Sequence, residues 1–103
     1  MPERSELEVR DNRSELRYEA VADGVVLGVI RYRTEPGLVV LVHTDVVPAA
    51  EGKGVGSRLV RGALEDLRAH GLGVVPVCPF VAGYISRHPE DADLVAKDPA
   101  TPD

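Results

Sequence analysis

The apolar residues of this chain change their repeat at Pro48, and that change dictates most of what the chain can fold into. Before it, Leu16, Tyr18 and Ala20 alternate with Arg17 and Glu19, the two-residue period of a half-buried strand. Asp23-Gly24 then favours the positive φ angles of a two-residue hairpin, with a return strand from Val25 to Arg33. Glu35-Pro36-Gly37 punctuates the chain again before Leu38 to Val47, whose run Leu-Val-Val-Leu-Val is apolar on both faces, as in a central strand covered on both sides. A short strand around Leu7 to Val9 and a polar turn, Asp11-Asn12-Arg13-Ser14, open the series. After Pro48, apolar residues fall at Val55, Leu59, Val60, Ala63, Leu64 and Leu67, a helical repeat stopped by Gly71 with His70 beside the negative end of its dipole. Gly73 to Val77 is a short strand, and a brief helix over about Val81 to Arg87 ends at His88-Pro89. A right-handed crossover makes the last strand parallel to Leu38–Val47. The prediction is an α+β fold with a mixed sheet: an antiparallel meander, a β-α-β crossover and a short C-terminal helix.

At 103 residues the chain has room for one domain, expected over 1–96, with 97–103 as a disordered tail. Apolar residues at 44% and charged residues at 28% place it among ordinary globular proteins. No apolar run approaches the ~18 residues of a membrane span, and Met1-Pro2-Glu3-Arg4 begins no signal peptide. A soluble, cytoplasmic protein without a membrane partner is expected. A net charge of −5 argues against a general grip on nucleic acid. One cysteine, Cys78, and three scattered histidines lack the paired spacings of a zinc site, so no metal is expected.

Chemistry concentrates in EGKGVGS, Glu51 to Ser57, between a buried strand and the long helix. Gly52, Gly54 and Gly56 remove every second side chain and let backbone N–H groups approach a ligand. The unpaired amides of a helix start, with its dipole, favour an anion, most naturally phosphate. Lys53 and Arg58 stand at the rim. The order of glycines and lysine fits neither the Walker pattern, which ends in Gly-Lys-Ser/Thr, nor the Rossmann pattern, which opens a sheet.

The segment Glu51-Gly52-Lys53-Gly54-Val55-Gly56 resembles the acyl-CoA pyrophosphate loop of the GNAT acetyltransferases, with Glu51 where that superfamily has Gln or Arg. Around it, His43 to Val60 and Val74 to Asp91 resemble the small single-domain branch of the superfamily, and the likeness runs from about Val9 to Val95. The resemblance implies a GNAT fold and an N-acetyltransferase that binds acetyl-CoA (coenzyme A). It implies cofactor contacts from the backbone of Asp45, Val46 and Val47, from Gly52, Lys53, Gly54, Val55, Gly56, Ser57 and Arg58, and from Cys78, Tyr84, Arg87 and His88. Pro76 and Pro79 supply a reason for the cleft, since neither donates an N–H to a ladder.

For catalysis, the resemblance puts Tyr84 where a tyrosine protonates the leaving sulfur, and Cys78 where a thiol can carry the acetyl group. His43, at the polar end of the central strand, is a candidate base. Each has a plainer alternative: half-buried aromatic, packed thiol, satisfied core histidine. Arg61 and Arg68 read as solvated helix charges. Only Asp11 to Ser14 separate the first two strands, where related enzymes insert helices, so an open acceptor side is expected, suited to an exposed amine on a macromolecule. Direct attack of the amine on the thioester, by a monomer or weak homodimer, is the expected route. A non-catalytic CoA-binding module and a protein-interaction module remain as alternatives.

Overall fold

Two tight turns fold the first half of the chain onto itself. Asp23 and Gly24 take φ of 52° and 76°, and Gly37 follows Pro36 at φ 78°. The turns join β2 (Arg17–Ala22), β3 (Val25–Glu35) and β4 (Leu38–Val46), with β1 (Glu8–Asn12) beside β2. The computed structural model describes residues 7–97, so the expected tail, apart from Lys97, lies outside the described residues. A five-stranded sheet in the order β1-β2-β3-β4-β5 is antiparallel except for its last pair, where β5 (Gly73–Pro76) runs parallel to β4.

Helix α1 (Val55–Ala69) makes the crossover, and every residue of its apolar repeat is buried. It ends in paired bonds from the Leu72 N–H to the Leu67 carbonyl and from the Gly71 N–H to the Arg68 carbonyl, with Gly71 at φ 68°. Helix α2 starts earlier than the sequence implied, at Pro79, because proline suits the first turn of a helix; it spans Pro79–Arg87. A 3-10 turn, Pro89–Leu94, follows and returns Leu94 to the core. Arg68 is an exposed helix charge, as expected, but it is also paired: it bonds both carboxylate oxygens of Asp93 at 2.9 Å and ties that turn to α1.

Three other expectations give way. Asp11 and Asn12 belong to β1, paired with Tyr18 and Arg17, and the turn follows them with Asn12 accepting from Ser14 and from the Glu15 amide. Leu16 lies outside β2 at φ 54° and is exposed, whereas Glu19, on the polar side of the alternation, is only 1% exposed. Finally, β4 is buried on both faces over Val39, Val40 and Leu41, as expected, but the helices pack on only one of them. Tyr18, Ile30, Tyr32, Val39, Leu41 and Val74 share a core with α1, α2 and Leu94. Val21, Val29, Val40 and Val75 are buried outside that core, and no described helix lies over them. A mainly antiparallel sheet tolerates a face without helices, which a wholly parallel sheet does not.

Candidate active site

β4 and β5 part company at a defined point. Their register ends at Leu41 opposite Pro76, which has no N–H to give. The Cys78 N–H makes a last bond to the Leu41 carbonyl at 3.0 Å, and the Val77 N–H turns back to Val75. Beyond Leu41, β4 is paired with β3 alone, leaving a slot on its other edge. Not all of Asp45, Val46 and Val47 face it. The Val47 N–H donates to the Leu27 carbonyl at 2.9 Å, and ladder alternation sends the groups of Asp45 and His43 the same way. Val46 keeps its backbone toward the slot, and Thr44 joins it.

At the end of the slot lies the glycine loop. Gly52 and Gly54 take φ of 81° and 80°, the left-handed region that favours glycine. No side chain caps α1, and its first bond runs from the Arg58 N–H to the Gly54 carbonyl at 3.1 Å. Among the described residues, no backbone carbonyl accepts from the N–H groups of residues 52–57. These amides border a groove of about 420 Å³ whose walls include Thr44, Val46, Val55, Ser57 and Phe80. The Phe80 ring lies across the helix start, where a Cβ on Gly56 would come within 2.8 Å of its tip. Glu51 is exposed at the rim, its own amide bonded to the Pro48 carbonyl. Lys53 is exposed beside the groove. Arg58 leaves it, lining a separate cleft with Val9 and Gly62 on the β1 side of α1.

Cys78 is at the slot but off the strand, capping α2. It is 3% exposed, and its Sγ lies 3.3 Å from the Thr44 Oγ1. No imidazole or carboxylate is bonded to it among the described residues, so nothing there draws off the thiol proton. Tyr84 points elsewhere. Its ring stacks on His88 at 3.9 Å, and both border a cleft of about 510 Å³ with Arg61, Glu65 and Arg68. Burial, and then the Asp91 carboxylate, push its phenol above the usual value. His88 is bonded through Nδ1 to the Tyr84 carbonyl at 2.7 Å, and the Arg87 guanidinium lies near Gly83. None of Tyr84, Arg87 and His88 lines the groove of the glycine loop.

His43 is on the opposite face of the sheet from the groove. Cross-strand partners share a face: Thr44 stands opposite the core residue Ile30, and His43 opposite the exposed Arg31. Its Nε2 is 3.1 Å from the Asp45 Oδ1. A carboxylate accepts, so Nε2 is the donor of this pair, and in the neutral ring Nδ1 then carries the lone pair. The slot thus has a groove on its helix side and a histidine–aspartate pair on its open side. Thr44 and Phe80 were missed in the sequence. Thr44 is a polar residue closing an apolar run, and Phe80 is an aromatic directly after a helix-starting proline; either was a usable signal.

A mixed sheet with α1 crossing between a parallel, splayed β4–β5 pair is the GNAT fold. The family model described as GCN5-related N-acetyl-transferase matches residues 17–94, from β2 through the turn after α2, and the chain belongs to that family. No curated protein matches it. No helix among the described residues is long and apolar enough to cross a membrane.

Proposed function

We propose that the chain binds acetyl-CoA and transfers its acetyl group to an amine by direct attack. The observation that carries this reading is the row of unpartnered amides at residues 52–57, bordering a groove that continues into the β4–β5 slot. A diphosphate suits those unpartnered N–H groups and the start of α1. The glycines fit that ligand: at Gly52 and Gly54 nothing stands within 4 Å of where a Cβ would be, so a ligand can reach the backbone itself. Lys53 adds charge at the rim. Thr44 and Val46 offer slot-facing backbone groups to the amides of a pantetheine arm.

When bound, acetyl-CoA supplies an acetyl group activated as a thioester. The amine approaches from the sheet face opposite the helices, where His43 and Asp45 are exposed. Asp45 holds the His43 Nε2–H, and Nδ1 takes the proton that the amine sheds as its nitrogen–carbon bond forms and the carbon–sulfur bond breaks. Tyr84 does not face the groove, so the departing thiolate takes its proton from water. Cys78 packs against Thr44 and holds the wall of the slot.

Titration calorimetry with acetyl-CoA and a thiol-release assay with a panel of amines test the reading. Binding with amine-dependent release supports it. Binding without release leaves a CoA-binding module, and absence of heat leaves an interaction domain.

A further inference from the structure

The open face beside the slot carries a charge arrangement that the fold itself does not explain. Asn12, Arg17, Arg31 and His43 form one row across β1 to β4, each directly opposite the next. Like charges facing each other across a ladder are destabilising. Arg17 is neutralised by Glu19 at 2.8 Å, and His43 is held by Asp45 at 3.1 Å. Arg31, between them, is exposed and makes no hydrogen bond or ion pair among the described residues. A planar, permanently charged fork with nothing to bind, one strand from the histidine, is a site for an anion.

Asp45 is the diagonal neighbour of Arg31, two residues along β4 from His43. Diagonal neighbours lie about 7–8 Å apart. That is a Cα separation, and a side chain as long as that of Arg31 reaches across it, so one small ligand can touch both groups. We infer that Arg31 anchors the carboxylate of an α-amino acid acceptor whose amine lies at Asp45 and His43. The inference rests on the acetyltransferase reading above and departs from the macromolecular amine expected from the sequence. Val42 and Val77, 40% and 52% exposed at the mouth of the slot, offer an apolar seat for the acceptor side chain.

The test compares leucine, leucinamide, 3-methylbutylamine and a lysine-containing peptide with the wild-type protein and with Arg31→Gln. Binding is followed by NMR titration in the presence of CoA, and transfer by thiol release with acetyl-CoA. A lost charge-assisted pair weakens binding roughly tenfold or more. Leucine is expected to bind and react best, to lose about that factor in Arg31→Gln through KM, and leucinamide to be unchanged. The anchor is overturned if leucinamide or the peptide reacts better than leucine, or if Arg31→Gln affects all acceptors alike. If leucine binds through Arg31 but no acceptor releases thiol, the anchor stands and the acetyltransferase reading falls. If acceptors react regardless of Arg31, the reading stands and the anchor falls.

Discussion

Replacing Glu19 by glutamine should weaken the fold in a way that depends on pH. The Glu19 side chain is 2% exposed on the face without helices. Its Oε2 accepts from the Asn12 Nδ2 at 2.9 Å and from the Arg17 Nε at 2.8 Å, and its Oε1 from the Arg10 Nε at 3.0 Å. Those donors, Asn12 and Arg17 foremost, outweigh burial and hold the carboxyl at a pKa of about 2 against an ordinary 4.5. At 1.36 kcal/mol per tenfold, that drop caps the contribution at about 3 kcal/mol. The Arg10 side chain is 56% exposed, so solvent screening reduces it to about 1–2 kcal/mol. Because the folded value lies below the unfolded one, this stability is fully present above pH 4.5 and is lost as pH falls toward 2. Glutamine keeps the shape but turns an NH₂ toward guanidinium donors. Urea unfolding across this range should therefore give a gap of about 1–2 kcal/mol between wild type and Glu19→Gln at pH 7, worth roughly 4–8 °C in Tm per kcal/mol. The gap should close as pH approaches 2. A gap that stays constant with pH, or its absence at pH 7, would refute the reasoning.

Cys78→Ala should keep thiol release within about threefold of wild type, since the buried thiol has Thr44 for a neighbour and no base; abolished turnover would restore a covalent route. Tyr84→Phe should leave the release rate and its pH profile unchanged, because the phenol faces the α1–α2 cleft. A loss of about tenfold or more in rate would place the phenol at the sulfur. For Gly62→Ala, better helix propensity is worth about 1 kcal/mol. The new methyl would lie 2.6 Å from the Val9 Cβ, and overpacking against β1 costs about 1–3 kcal/mol. Calorimetry should record a lower Tm, and a higher one would mean that β1 moves freely.

The helix was legible because its signal is local. Val55, Leu59, Val60, Ala63, Leu64 and Leu67 are all buried, as their spacing required, and Gly71 stops the helix by the bond pattern its position implied. The hairpin at Asp23-Gly24 was equally local. Boundaries set by a partner were not. Asp11 and Asn12 look like turn residues until Tyr18 and Arg17 pair with them, and Glu19 looks solvated until three donors close over it. At the site, the left-handed glycines before α1 were foreseeable, whereas the directions of Arg58, Tyr84 and His88 were not, because a helix side chain's cleft depends on which elements pack beside it.

The order of strands and helices, the parallel last strand and the glycine turn before α1 are written in the chain's own periodicities, which reflect backbone geometry alone. The two faces of the slot are not. β4 slips its register against β3 between Arg31 and Tyr32, opposite His43 and Leu41, so Val42 is an extra residue in the strand. Simple alternation from Leu41 would put His43 under the helices. The extra residue reverses the phase, sends Thr44 to the groove and Cys78, and turns His43 and Asp45 out beside Arg31. That single insertion exists only as a mismatch between two paired strands, so it is decided by the assembled sheet and by no residue pattern along β4.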